Sequence, residues 1–195
     1  MVAANTVLVF FGMIATGKST LAAAWARQHG CSYYNSDRVR KELAGLIAES
    51  RQAGPVDEGI YSPESSRRTY DQLLTLAEQD VSAAPPVCVV LDGSYQVRSE
   101  RELVREKLAA KARVLFVHCL CPEEVMRERM ELRQLDLQAV SDGRWEVYLQ
   151  QKMRFEPPVE LGSKQLISIT TNQPLDSLLL LLDEWMVSVG AQAVA

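Results

Sequence analysis

The sequence predicts an α/β protein, a doubly wound and mainly parallel sheet of about five strands with helices on both faces. Three observations carry this. Short β-branched and apolar runs alternate along the chain with helical stretches, the pattern that right-handed βαβ crossovers leave in a sequence. The first run, Thr6-Val-Leu-Val-Phe-Phe11, is apolar at every position after the threonine, as a strand buried on both faces requires. It leads directly into Gly12-Met-Ile-Ala-Thr-Gly17-Lys18-Ser19, a full match to G-x-x-x-x-G-K-[ST] placed between a strand and a helix.

The remaining elements follow in order. A helix at 18–29 precedes a short second strand at 32–34. The helix expected at 37–49 sets Val39, Leu43 and Leu46 on one face. Gly54, Pro55 and Gly59 mark 50–61 as a surface loop. Ser62-Pro63 reads as an N-cap followed by proline at the first helical position, opening a helix that runs to about residue 82. A third strand at 87–91, an amphipathic helix at 98–111 and a fourth strand at 113–118 come next. Pro122 with Glu123 and Glu124 opens a helix whose first turn complements the dipole. After a last strand at 165–170, the closing helix spaces Leu175, Leu178, Leu179, Leu182, Trp185, Met186 and Val189 as a core-facing stripe. With no repeat, low-complexity tract or long linker, residues 1–195 are expected to form one domain.

Composition narrows the function classes. A chain of 195 residues that is 47% hydrophobic can bury a core without disulfides. Its four cysteines, three of them in or beside apolar runs, are expected to be reduced thiols of a cytoplasmic protein. The formal charge of −4 argues against a broad basic face for nucleic acid. No apolar stretch approaches the ~20 residues that span a bilayer, and the N-terminus lacks the positive region of a signal peptide. His29 and His118 have no ligand-forming neighbours at metal-binding spacing, so no zinc site is expected.

Chemistry is therefore sought at the carboxyl ends of the strands. In the glycine-rich loop, Gly12, Met13, Ile14, Ala15, Thr16, Gly17, Lys18, Ser19 and Thr20 would cradle a nucleotide. Backbone N–H groups and a helix N-terminus would face the phosphates, Lys18 would reach the β- and γ-phosphates, and Ser19 would ligate Mg²⁺. Ala15 stands where a third glycine is common in kinases and Ile14 where proline is common. The chain has no N-K-x-D motif, and Asp92-Gly-Ser-Tyr95 is not D-x-x-G, which disfavours a GTPase. Asp37, after the second strand, is placed to orient a hydroxyl nucleophile and take its proton; a plain helix-cap role is the competing reading. Arg40, one turn on, could hold the acceptor or lie in solvent. Asp92 ends the third strand, where a carboxylate meets Mg²⁺, although Asp-Gly is also a good turn. Arg129 and Arg133 share a helix face and suit a lid over 127–143, with a salt-bridged surface as the alternative.

Taken together, the segments 12–20, Ser36-Asp37 with Arg40 and Leu43, Tyr61-Ser62 with Thr69-Tyr70, Val90-Leu-Asp92, Arg101, Pro122 through Arg129 to Arg133, Ser141-Asp142 and Phe155-Glu-Pro157 resemble the P-loop kinases of the AAA_33 type. These are relatives of zeta toxins, chloramphenicol phosphotransferase and the kinase domain of polynucleotide kinase. The resemblance implies an NMP-kinase-like fold with a helical lid and ATP with Mg²⁺ as donor. It also implies Asp37 as general base, Arg40 and Arg101 as acceptor contacts, and Arg129 and Arg133 as catalytic lid arginines beside Lys18. Gly93-Ser94 departs from the Ala-Thr usual after the aspartate. A small hydroxyl-bearing acceptor is the favoured expectation. A polynucleotide 5′-hydroxyl and a non-catalytic ATP-binding switch are the alternatives.

Overall fold

The computed structural model describes residues 5–47, 58–83, 87–135 and 145–190, with the side chains of 133–135 left aside. Five strands, β1 (Thr6–Phe11), β2 (Ser32–Asn35), β3 (Cys88–Asp92), β4 (Arg113–Leu120) and β5 (Leu166–Thr170), form one sheet in the order β2-β3-β1-β4-β5. Every pairing is parallel. The helices are α1 (Lys18–Gln28), α2 (Ser36–Leu43), α3 (Pro63–Ser82), α4 (Arg98–Leu108), α5 (Glu123–Leu135), α6 (Trp145–Arg154) and α7 (Leu175–Ser188), with a 3₁₀ turn at Gly59–Tyr61. Among the described residues, no helix is long and apolar enough to cross a membrane.

Side chains of a strand alternate between faces, and the two cores follow that alternation. Val7, Val9 and Phe11 of β1 join Val89, Leu91, Val114 and Phe116 on the face covered by α3 and α4. Leu8 and Phe10 join Val90, Leu115 and Val117 on the face covered by α1 and α7. The stripe expected on the closing helix lies against this second core, with Leu178, Leu182 and Met186 buried. Because β1 sends the chain to one face and its neighbour β3 to the other, a crevice opens between their carboxyl ends, the ligand position of doubly wound sheets.

Several boundaries differ from the sequence expectation. The helix after β2 ends at Leu43, where Ala44 and Gly45, at φ 69°, close it; residues 48 and 49 of the expected span lie outside the described residues. The third and fourth strands extend to Asp92 and Leu120. Helix α6 was not foreseen. Its only fully buried side chain is Tyr148, while Leu149 and Met153 are exposed, so its apolar positions carry no clear 3.6-residue stripe.

His118 of β4 is stacked between Phe11, at 4.6 Å, and Phe155, at 5.3 Å. Burial, helped by the nearby Arg101 charge, pushes its pKa down to about 4. The imidazole is thus neutral in the folded protein and must charge on unfolding below pH 6.5. The stability this provides is complete above pH 6.5 and is lost as pH falls towards 4. Urea denaturation is expected to show a loss of about 2 kcal/mol between pH 7.5 and 5 attributable to this group. His118→Phe, which keeps the stack, should remove that part of the pH dependence.

Candidate active site

The loop after β1 is shaped by its glycines. Gly12 sits at φ 140°, and a Cβ there would lie 2.4 Å from the Cys119 carbonyl oxygen, so only glycine fits. Gly17, at φ 81°, is the N-cap of α1, with no capping side chain and no acid in the first helical turn. A helix start left uncapped and without a carboxylate offers its free N–H groups and dipole to an anion. Ala15 holds φ 60°, the left-handed region where glycine is at home, which explains the glycine common at this place. Thr16 Oγ1 donates to the Met13 carbonyl at 2.8 Å and stiffens the loop from within.

Asn35, the last residue of β2, organises the opposite wall. Its Oδ1 accepts the N–H groups of Asp37 and Arg38, both at 3.1 Å, which caps α2. Its Nδ2 donates to Asp92 Oδ2 at 2.6 Å, and Tyr33 Oη donates to the same oxygen at 2.7 Å. The register pairs Asn35 with Asp92 directly. Because Asn35 is the cap, the Asp37 carboxylate is not consumed in capping. Burial raises the Asp37 pKa above the usual carboxylate range, against the opposing charges of Lys18 and Arg40. Lys18, Ser19, Asp37 and Arg40 line one cavity of about 830 Å³.

Asp92 is fully buried, and its Oδ1 has no hydrogen-bond partner. A buried carboxylate oxygen left open beside a phosphate loop suits a hydrated cation. Among the described residues, no three His, Cys, Asp or Glu gather to hold an ion unaided, so Mg²⁺ would rely on Ser19, Asp92 and the phosphates themselves. The turn after Asp92 is built on Tyr70, whose Oη accepts the Ser94 and Tyr95 N–H groups at 3.2 and 3.3 Å and bonds Ser94 Oγ at 2.7 Å. A Cβ on Gly93 would meet the Tyr95 ring at 2.9 Å and the Tyr70 ring at 3.2 Å, which accounts for glycine where alanine is usual. Tyr70→Phe leaves two backbone donors without this acceptor and should cost about 1–3 kcal/mol in a urea unfolding measurement.

Two arginines stand elsewhere than expected. Arg101 does not line the cavity. Its side chain is fully buried, 2.6 Å from Glu160 Oε1, with its other donors on the carbonyls of Tyr95, Gln96 and Glu156. Arg129 braces the loop from behind rather than lining the cavity. It donates to the Ala15 carbonyl at 3.3 Å and the Thr171 carbonyl at 2.7 Å, and it packs where a Gly17 Cβ would reach. Arg40 does line the cavity. Its Nη1 donates to the Ile60 carbonyl and Ser66 Oγ, its guanidinium lies 5.0 Å from the Tyr61 ring centroid, and its buried Nε has no partner. The Arg133 side chain and residues 136–143 of the expected lid lie outside the described residues, as do residues 50–57 of the expected surface loop.

A wall that sequence reasoning missed comes from α6, which sets Val147, Gln150, Gln151 and Arg154 along the same cavity. Their i,i+3 and i,i+4 spacing was the available signal.

The model of the AAA_33 family, described as an AAA domain, matches residues 7–158. The chain belongs to this family. An adenylate kinase of Deinococcus radiodurans is 32% identical over 146 residues, 72% of this chain and 69% of that protein. An uncharacterized protein of Mycobacterium bovis is 30% identical over 120 residues, 60% of this chain, and the match spans only 24% of its length. Among solved structures, a sugar kinase from Janibacter sp. superposes with a TM-score of 0.68 at 20% identity, covering 96% of this chain and 99% of that one. The APS kinase CysC of Mycobacterium tuberculosis, in complex with AMPPNP and APS, gives 0.65 at 18% identity, covering 95% and 99%. This AAA_33 chain thus has the P-loop kinase fold.

Proposed function

We propose that this AAA_33 protein is an ATP-dependent kinase that transfers the γ-phosphoryl group to a hydroxyl of a small molecule, with Asp37 as general base. One observation carries the reading: the Asp37 carboxylate, freed from capping by Asn35, shares a cavity with Lys18 and Ser19 of the phosphate loop. In the proposed reaction, the acceptor O–H proton passes to Asp37 as the acceptor oxygen attacks the γ-phosphorus. The bond from that phosphorus to the bridging β-phosphate oxygen breaks, and ADP leaves. Lys18 and the loop N–H groups hold the phosphates in line, Arg129 keeps the loop in shape, and Tyr33 with Asn35 fixes Asp92. Mg²⁺ on Ser19 and near Asp92 would neutralise phosphate charge. A raised Asp37 pKa makes the carboxylate a better proton acceptor once it is ionised.

The cavity wall favours an uncharged or weakly charged polyhydroxylated acceptor over a nucleic-acid end. Among the described residues its carboxylates, Asp37, Asp71, Glu100, Glu102 and Glu106, outnumber its cations, Lys18, Arg40, Arg67 and Arg154. Among the described residues, a polyanionic strand finds no basic track there. The four free thiols agree with a cytoplasmic protein.

The test is an ATP-coupled screen of sugars, nucleosides, other hydroxyl-bearing metabolites and a 5′-hydroxyl oligonucleotide, with Asp37→Asn as the blank. A small acceptor that raises ADP release only in the wild type is the expected result. Turnover raised by the oligonucleotide alone would replace the small acceptor with a nucleic-acid end. Turnover raised by none of them would favour a nucleotide-binding switch.

A further inference from the structure

The Ile14 N–H, in the middle of the phosphate loop, donates to Gln151 Oε1 of α6 at 2.6 Å. A backbone N–H can only donate, so the atom facing it is the carboxamide oxygen, and the orientation of the whole group follows. The Nε2 group then points away from Ile14. It makes no hydrogen bond among the described residues, and Gln151 lines the cavity that Lys18, Ser19 and Asp37 share.

The placement of Gln151 rests on more than one hydrogen bond. Ile14 and Ala15 of the loop pack with Met126 and Met130 of α5 and Tyr148 of α6 in a small apolar core. Tyr148 Oη and Lys152 Nζ both donate to Glu123 Oε2, at 2.8 and 2.9 Å, which ties α6 to the start of α5. Arg127 lies 4.0 Å from the Trp145 ring centroid and adds a further link. Helix α6 is therefore seated on the loop by packing, and Gln151 meets Ile14 in a preset position. The sequence permits the contact because Ile14 replaces the proline common here, which would have no N–H to donate. With Arg129 engaged behind the loop, the α5–α6 pair presents Gln151 rather than that arginine to the phosphate side of the cavity.

We propose that Gln151 is a phosphoryl-binding residue, anchored through Oε1 on the Ile14 amide and donating through Nε2 to the terminal phosphoryl group of the bound nucleoside triphosphate. The proposal rests on the reading of the loop as the phosphoryl-donor site, and its test needs no knowledge of the acceptor.

Titration of the full chain with AMPPNP and with ADP, each with Mg²⁺, separates the two phosphate positions. Loss of a hydrogen bond to a charged group should make Gln151→Leu bind AMPPNP roughly 10- to 100-fold more weakly, with ADP changed by less than about two-fold. Gln151→Glu keeps an oxygen for Ile14 but turns a second oxygen towards the phosphoryl group, so it should weaken AMPPNP more than Gln151→Leu does. A mere tether between α6 and the loop predicts the reverse order. Ile14→Pro removes the anchoring amide and should weaken AMPPNP in the wild-type background but add nothing to Gln151→Leu. If Gln151→Leu fails to fold, as read by circular dichroism, Gln151→Glu and Ile14→Pro decide the case. Equal losses for both nucleotides, or wild-type AMPPNP affinity in Gln151→Glu, would overturn the role of Gln151 and leave the donor-site reading intact. Failure of the wild type to bind either nucleotide would overturn both.

Discussion

Asp37→Asn is expected to lower kcat by about 10²- to 10⁴-fold, with nucleotide affinity changed by no more than a few-fold. The exchange is nearly isosteric and leaves the cap on α2 in place, because Asn35 supplies it. The measurement is steady-state phosphoryl transfer to an acceptor found in the screen, with a parallel ADP titration. A pH profile adds a second check. The base must be ionised, so activity rises with pH through the Asp37 pKa, and burial lifts that pKa above the ordinary carboxylate value. The acid limb of kcat/KM should accordingly lie above that of a solvent-exposed aspartate. Turnover undiminished in Asp37→Asn would remove Asp37 from the chemistry.

Arg101→Met is expected to destabilise the fold by about 3–5 kcal/mol, because it leaves Glu160 as an unpaired charge in the interior. The two side chains are 0% and 3% exposed. Burial alone would raise the Glu160 pKa, yet the Arg101 hydrogen bond and charge outweigh it and hold the carboxyl below its usual range. The ion pair and the bonds to the Tyr95, Gln96 and Glu156 carbonyls clamp the segment after α6 to the turn after β3. Urea unfolding at pH 7 measures the loss. Arg101→Met combined with Glu160→Leu should recover much of it, since an apolar pair avoids the buried charge. A single-variant cost below about 1 kcal/mol would show that the pair is not structural, and would return Arg101 to consideration as a substrate contact.

Of these two residues, Asp37 was legible in the sequence as a residue of the cavity, whereas Arg101 was not legible as half of a buried ion pair. The strands, α1 and the α7 stripe were legible because burial imposes periods of 2 and 3.6 on side-chain polarity. The phosphate loop was legible because its backbone demands glycine at Gly12 and Gly17. Asp37 stood out because it follows β2 directly at a helix start. Arg101 did not reveal its role, because the partner that neutralises it lies 59 residues away and no local pattern links them. Arg129 was expected over the phosphates, yet it donates to the carbonyls of Ala15 and Thr171 and to the Thr171 hydroxyl. Two of the departures from the usual kinase pattern, Ile14 and Gly93, were visible in the sequence without their reasons. Those reasons are Gln151 on one side and the Tyr70–Tyr95 pair on the other, contacts that only the folded chain assembles.

The order of the strands has a consequence for how such a protein could change its substrate. Strand β1, which carries the phosphate loop, is paired along its length on both sides, whereas β2, which leads into Asp37 and Arg40, is a four-residue edge strand with a single neighbour. Shifting β1 would disturb two ladders, but tilting β2 with its helix disturbs one. Substitutions in α2 can therefore reshape the Asp37 and Arg40 wall of the cavity while the phosphate loop stays fixed. On the proposed kinase reading, an architecture of this kind can keep one phosphoryl donor and exchange the molecule it modifies.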